Sequence, residues 1–155
     1  MQRLERLRGP VASLFRIVVG LLFVCHGAAS LFGVFGGAVD THRAIPVGTW
    51  PDWWAALIQL VAGLLVFVGL GTRPAAVLAS GSMAFAYFTV HQERALFPIQ
   101  NGGEPAVLFC WSFLLIALSG PGPWSLDALA GNWPRLSRLL NPVVGGDLER
   151  DLDAG

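Results

Sequence analysis

The sequence predicts an all-α fold, an integral membrane four-helix bundle, on three observations. Hydrophobic residues make up 54% of the 155-residue chain and charged residues 13%, whereas an ordinary soluble domain carries about 25% charge. Four apolar segments recur, near residues 11–31, 54–70, 74–90 and 105–118. Arginine and tryptophan gather at the segment ends, the levels at which a bilayer holds them. With a mean hydropathy of +0.61, lipid is the expected solvent.

Residues 1–10 form a basic leader with Arg3, Arg6 and Arg8. The first segment is long enough for the roughly 20 helical residues that a ~30 Å hydrocarbon core requires. Arg3, Arg6 and Arg8, the apolar run and then HGAAS together resemble a cleavable signal peptide. Arg16 argues against that reading, because it breaks the run, and the apolar stretch resumes past Ala28. Arg16 itself is expected near the headgroups, its guanidinium snorkelling to the interface. A loop over about 34–53 leads to Trp50, Trp53 and Trp54 at the start of the second segment. GLGTRP then ends the second span and starts the third, with Pro74 early in the helix, where its missing N–H costs nothing. In the third segment Ala76, Ser80 and Ala84 recur every four residues, a small-residue stripe that lets a neighbouring backbone approach closely. The fourth segment is the shortest and stops at SGPGP. Residues 121–140 read as interfacial, with Ser125 capping a short helix through Leu129 and Asp127 in its first turn. Residues 141–155, ending GGDLERDLDAG, are too polar to order themselves and read as a flexible tail.

Arg3, Arg6, Arg8, Arg16, Arg73, Arg135 and Arg138 fall on one side of this arrangement and Arg43 and Arg94 on the other. That bias predicts both termini in the cytoplasm. Formal net charge is zero, so no global field points to nucleic acid. Cys25 and Cys110 lie in separate apolar segments without CxxC spacing and read as small buried hydrophobes. Hydrolase signatures, phosphate-binding glycine loops and dinucleotide fingerprints are absent from the sequence.

With this topology, the four spans each bring one polar group toward the outer leaflet: His26, Gln59, His91 and Glu104. Polar groups are costly in hydrocarbon, so each should face the bundle interior or water. These four, with Asn101, are the expected ligand-binding residues, and Trp50, Trp53 and Trp54 would wall the entrance; Asp40 and His42 sit where they would extend the site upward. A structural reading stands beside this one. Asn101-Gly102-Gly103 is a turn sequence, and Glu104 before Pro105 suits a helix start. Two histidines and a glutamate match a zinc or iron site in type, but they come from three helices at no diagnostic spacing, and no metal is assigned.

The runs RIVVGLLFVCHGAASLFG, GLLVFVGLGTRPAA, His91 followed by PIQNGGE, and PGPWSLDAL, in this order over about residues 13–130, resemble the DoxX family of small four-helix bacterial membrane proteins. The resemblance implies a redox auxiliary in the bacterial plasma membrane, a subunit of an oxidoreductase complex with redox enzyme partners. The chain departs from the family pattern at Ser30, where a basic residue is usual, and at Gln59, where a carboxylate is common. Both changes remove charge. The function expected first is a quinone-linked membrane subunit with a polar pocket near the outer leaflet; quinone is the one cofactor suggested, and no catalytic residue is assigned. The alternative is a non-catalytic scaffold that docks soluble redox or sulfur-handling enzymes through SLDALAGNWPRLSRLL and the tail. A homo-oligomer is compatible with either reading. A transporter is disfavoured, because no span is broken in mid-membrane and no inverted repeat is visible.

Overall fold

The computed structural model describes residues 2–39 and 41–131, with side chains from residue 7 onward. Asp40, Trp133, Arg135, Arg138 and the 141–155 tail therefore lie outside the described residues. Four long helices form the bundle: α1 (Gln2–Phe32), α2 (Asp52–Val68), α3 (Thr72–Ala86) and α5 (Glu104–Ser119). The short α4 (Pro98–Asn101) precedes α5. Leu7–Phe32 of α1 is long and apolar enough to cross a membrane, while α2 and α5 are apolar but shorter. At 17 and 16 residues these two reach only about 25 Å. The third helix is prolonged past Ala86 by a π-helical turn, Tyr87–His91.

The helices pack as a chain of neighbours, α1 chiefly on α2 and α3 chiefly on α5, with α2 and α3 joining the pairs. What lets α1 and α2 approach is glycine. A methyl group at Gly27 would lie 2.5 Å from the Leu60 nitrogen, and one at Gly20 would lie 2.7 Å from the Phe67 nitrogen. On the second pair Ala76 and Ser80 are buried, and the Ser80 hydroxyl donates to the Cys110 carbonyl at 2.9 Å. Such small-residue contacts replace the hydrophobic driving force that lipid removes.

Size is distributed inside out. Ala62, Ala75, Ala76, Ala79, Ala106 and Ala117 are buried, while Leu21, Leu22, Leu64, Leu78, Leu108, Trp111 and Leu118 are exposed. A water-soluble bundle would bury the large side chains; this one turns them toward hydrocarbon. Phe23 and Phe113 are exceptions, as are Val66, Met83 and Ile116; the two phenylalanines pack edge-on at 4.6 Å with Phe109 beside both and fill the space between α1 and α5. Both cysteines are free.

One expectation is overturned. Arg16 does not snorkel; it is 1% exposed. Its Nε donates to the Pro121 carbonyl at 2.9 Å, and its two terminal nitrogens donate to the carbonyls of Val66, Phe67 and Trp124. The end of α2 leaves its last carbonyls without helical partners, and the Pro121–Trp124 turn adds two more. A five-donor guanidinium satisfies them where water is absent.

Asp127 completes this knot. Its carboxylate accepts from the Gly71 and Thr72 nitrogens at 2.8 and 2.9 Å and from the Thr72 hydroxyl at 2.8 Å. It thereby caps α3, not only the helix in which it lies. Residues 126–131 are helical, and Ser125 caps them, accepting from the Ala128 nitrogen at 3.1 Å. Burial raises the Asp127 carboxyl, but the hydrogen bonds from Thr72 and Gly71 and the charge of Arg16 outweigh it and leave the group below its ordinary value of 3.8.

Candidate functional site

The opposite end of the bundle is hollow. A cavity of about 470 Å³ lies between α1, α2, the end of α3, the loop after α1 and the start of α5. His26, Gln59, His91 and Asn101 all line it; so do Ser30, Thr41, Asp52 and Arg94. Glu104, exposed as the first residue of α5, is not among the lining residues, although its neighbour Pro105 is. Three spans thus deliver their expected polar group to the hollow, and the fourth delivers apolar Pro105, Ala106 and Phe109.

Each polar side chain reaches the cavity for a local reason. His26 lies near the end of α1, largely exposed, with its ring edge-on to Phe109 at 5.6 Å. Phe23 and Phe109 lie beneath it as an apolar floor. Gln59 comes from α2, and its Oε1 is buried with no hydrogen-bond partner, the one such side-chain oxygen among the described residues. A buried acceptor without a donor costs about 1–3 kcal/mol, so this position is not explained by packing alone.

His91 is the last residue of the π-turn, and π-turns widen a helix by one residue. Its Nδ1 is 3.1 Å from the Asn101 carbonyl oxygen, and the Tyr87 ring lies roughly parallel at 6.5 Å. Asn101 itself is buried. Its Nδ2 donates to the Ala95 carbonyl at 2.9 Å and its Oδ1 accepts from the Gly103 nitrogen at 2.8 Å. It braces the wall with one of its two amide N–H groups and one lone pair of its oxygen. Gly102 adopts φ 69°, the left-handed conformation that ends α4.

The tryptophans wall a different space. Trp50 and Trp54 line an apolar groove of about 420 Å³ between α2 and α3, together with Ile58, Val77, Leu78 and Phe85. Trp53 lines neither space and packs edge-on to Trp54 at 5.1 Å. The groove and the polar cavity share Asp52, Ala55, Ala86 and Val90, so the two hollows meet along one wall. His42 is exposed and lines neither.

Sequence reasoning did not select Thr41, Asp52 or Arg94 for this site. Ser30 and Gln59, the two positions that the sequence resemblance marks as lacking an expected charge, both line the cavity. No group of three or more His, Cys, Asp or Glu side chains suited to a metal ion occurs among the described residues.

Comparison with known proteins bears on what this end serves. The family model described as DoxX matches residues 11–92. An uncharacterized protein of Haemophilus influenzae is 36% identical over 137 residues, covering 82% of this chain and 96% of the relative. A Bacillus subtilis protein named "Putative oxidoreductase CatD" is 29% identical, covering 74% of this chain and 82% of its own length. The inner membrane protein YqjF of Escherichia coli is 27% identical, covering 83% and 96%. No solved structure matches the chain.

Proposed function

Because the chain belongs to the DoxX family of bacterial membrane proteins, we propose that it is a membrane subunit of an oxidoreductase complex whose hollow end takes a quinone-type ligand. The observation that carries this reading is the junction of the two hollows. An amphipathic ring needs a pocket with a few polar groups for its head and an apolar slot for its tail. The 470 Å³ cavity offers the first through His26, Gln59 and His91, and the 420 Å³ groove beside Trp50 and Trp54 offers the second. The oxidoreductase name borne by the Bacillus subtilis relative supports the redox part of the proposal. The hollow end faces outward in this reading and both termini are cytoplasmic, since Arg3, Arg6, Arg8, Arg73, Arg135 and Arg138 outnumber Arg43 and Arg94 even with buried Arg16 set aside.

The test is a titration of the detergent-purified protein with decyl-ubiquinone, read by quenching of tryptophan fluorescence. Saturable quenching is expected, weakened about tenfold in Ala86→Phe, which fills the wall common to both hollows. Quenching that never saturates, or that is identical in the variant, refutes the assignment.

A further inference from the structure

Resting on that reading, we infer that the cavity selects the reduced, hydroxyl-bearing form of its ligand, a hydroquinone, and that the turn before α5 enforces the choice through His91. A carbonyl oxygen can only accept a hydrogen bond, so the 3.1 Å contact with the Asn101 carbonyl places the imidazole proton on Nδ1. A neutral imidazole has one N–H, and Nε2 is then a bare lone pair, an acceptor. Nothing among the described residues donates to it.

The turn cannot readily release this arrangement. Asn101 is held by one group that only accepts, the Ala95 carbonyl, and by one that only donates, the Gly103 N–H, so its amide cannot flip without losing both bonds. Position 103 must also stay small. A methyl group there would lie 2.7 Å from Asn101 Oδ1, 2.8 Å from Tyr87 Cδ2 and 2.9 Å from His91 Cβ. Glycine lets the start of α5 close against the π-turn, and the ring is fixed from three sides: the Asn101 carbonyl at one edge, Tyr87 at one face and Gly103 behind its Cβ.

The polarity of the ligand follows. A quinone presents carbonyl oxygens, which are acceptors, and an acceptor facing the lone pair of Nε2 gains nothing. A hydroquinone presents O–H donors. Gln59 has the same need, since its buried Oε1 lacks a donor and a bound hydroxyl is a group of that kind. The remaining polar lining does not reverse this: His26 and the hydroxyls of Ser30 and Thr41 serve in either role, the Asp52 carboxylate accepts, and the donors that remain, the amide nitrogens of Gln59 and Asn101 and the exposed Arg94, can donate to a hydroquinone oxygen as well as to a quinone carbonyl.

The experiment is calorimetric titration of the intact, detergent-purified chain with decyl-ubiquinone and, separately, with its hydroquinone, under anaerobic conditions. The hydroquinone should bind about tenfold more tightly, the value of one hydrogen bond gained in place of one acceptor clash. In His91→Phe the preference should shrink to what the Gln59 oxygen alone supplies, a change in ratio that a purely structural role for the ring would not produce. Equal or tighter binding of the quinone by the parent protein overturns this inference and leaves the quinone-type reading standing. Binding of neither form overturns both. The parent comparison decides the matter without relying on the folding of any variant.

Discussion

The two ends of this bundle are built from similar materials and solve opposite problems. At the arginine-bearing end, Arg16, Asp127 and Ser125 are each paired with backbone carbonyls or N–H groups near the helix termini, and the Thr72 hydroxyl donates to Asp127. At the histidine-bearing end, Gln59 has a buried oxygen without a donor and His26 has a ring without a hydrogen bond among the described residues, around a space of about 470 Å³. One end commits its polar groups to closure, and the other, though His91 and Asn101 brace its wall, leaves Gln59 and His26 open. Stability should therefore concentrate at the first end and ligand sensitivity at the second.

The comparison breaks most readily at Arg16. Arg16→Met removes the donor to four carbonyls in a dry interior, and a loss of about 3 kcal/mol or more is expected, since hydrogen bonds to charged groups are worth about 1.5–3 kcal/mol each. A fall in the thermal midpoint of the detergent-solubilised protein would register it. Next in size, Gly27→Ala places a methyl group 2.5 Å from the Leu60 nitrogen and should cost about 1–3 kcal/mol by forcing α1 and α2 apart, measurable in the same assay.

Asp127 gives a smaller effect with a sign that pH resolves. Its folded value lies below the ordinary 3.8, so its contribution is complete above that value and is lost as pH falls through the folded one. Asp127→Asn should cost about 1 kcal/mol near neutrality and should flatten the decline in stability between about pH 5 and pH 2. An unchanged acid profile in the variant would remove Asp127 from the account. Smallest in stability is Gln59→Leu. Deleting a buried acceptor without a donor should leave stability unchanged or raised by about 1 kcal/mol, while binding of the hydroquinone form of decyl-ubiquinone weakens. A large loss of stability there would mean that the hollow end is structural after all.

Much of the helical frame was legible because local chemistry settles it. Pro74 and Pro105 mark helix starts, Ser125 is a cap, and the spacing of Ala76 and Ser80 announces a close helix contact. The convergence of His26, Gln59 and His91 was also legible, since equal depth on adjacent spans follows from segment lengths alone. Arg16 was not. Sequence gives its depth, but its partners Pro121 and Trp124 lie more than a hundred residues away, and only the fold brings that turn under α1. Glu104 was misjudged for a related reason: depth does not fix azimuth, and the first residue of α5 is left exposed beside the cavity. Trp50 and Trp54 likewise share a level with the histidines and yet wall a separate groove across α2, because one helix presents two sides.

The π-turn at Tyr87–His91 also decides which kinds of mutation the hollow end can absorb. Each residue of a helix turns the chain by about 100°, so the extra residue in that turn sets the bearing of everything after it. Point substitutions along Thr89 or Val90 leave the bearing of His91 intact. Excising a single residue from the turn would swing the imidazole about a quarter of a circle and detach it from Asn101. In this stretch the reading frame of the helix matters more than the identity of most of its letters, and length polymorphism is the variation it should tolerate least.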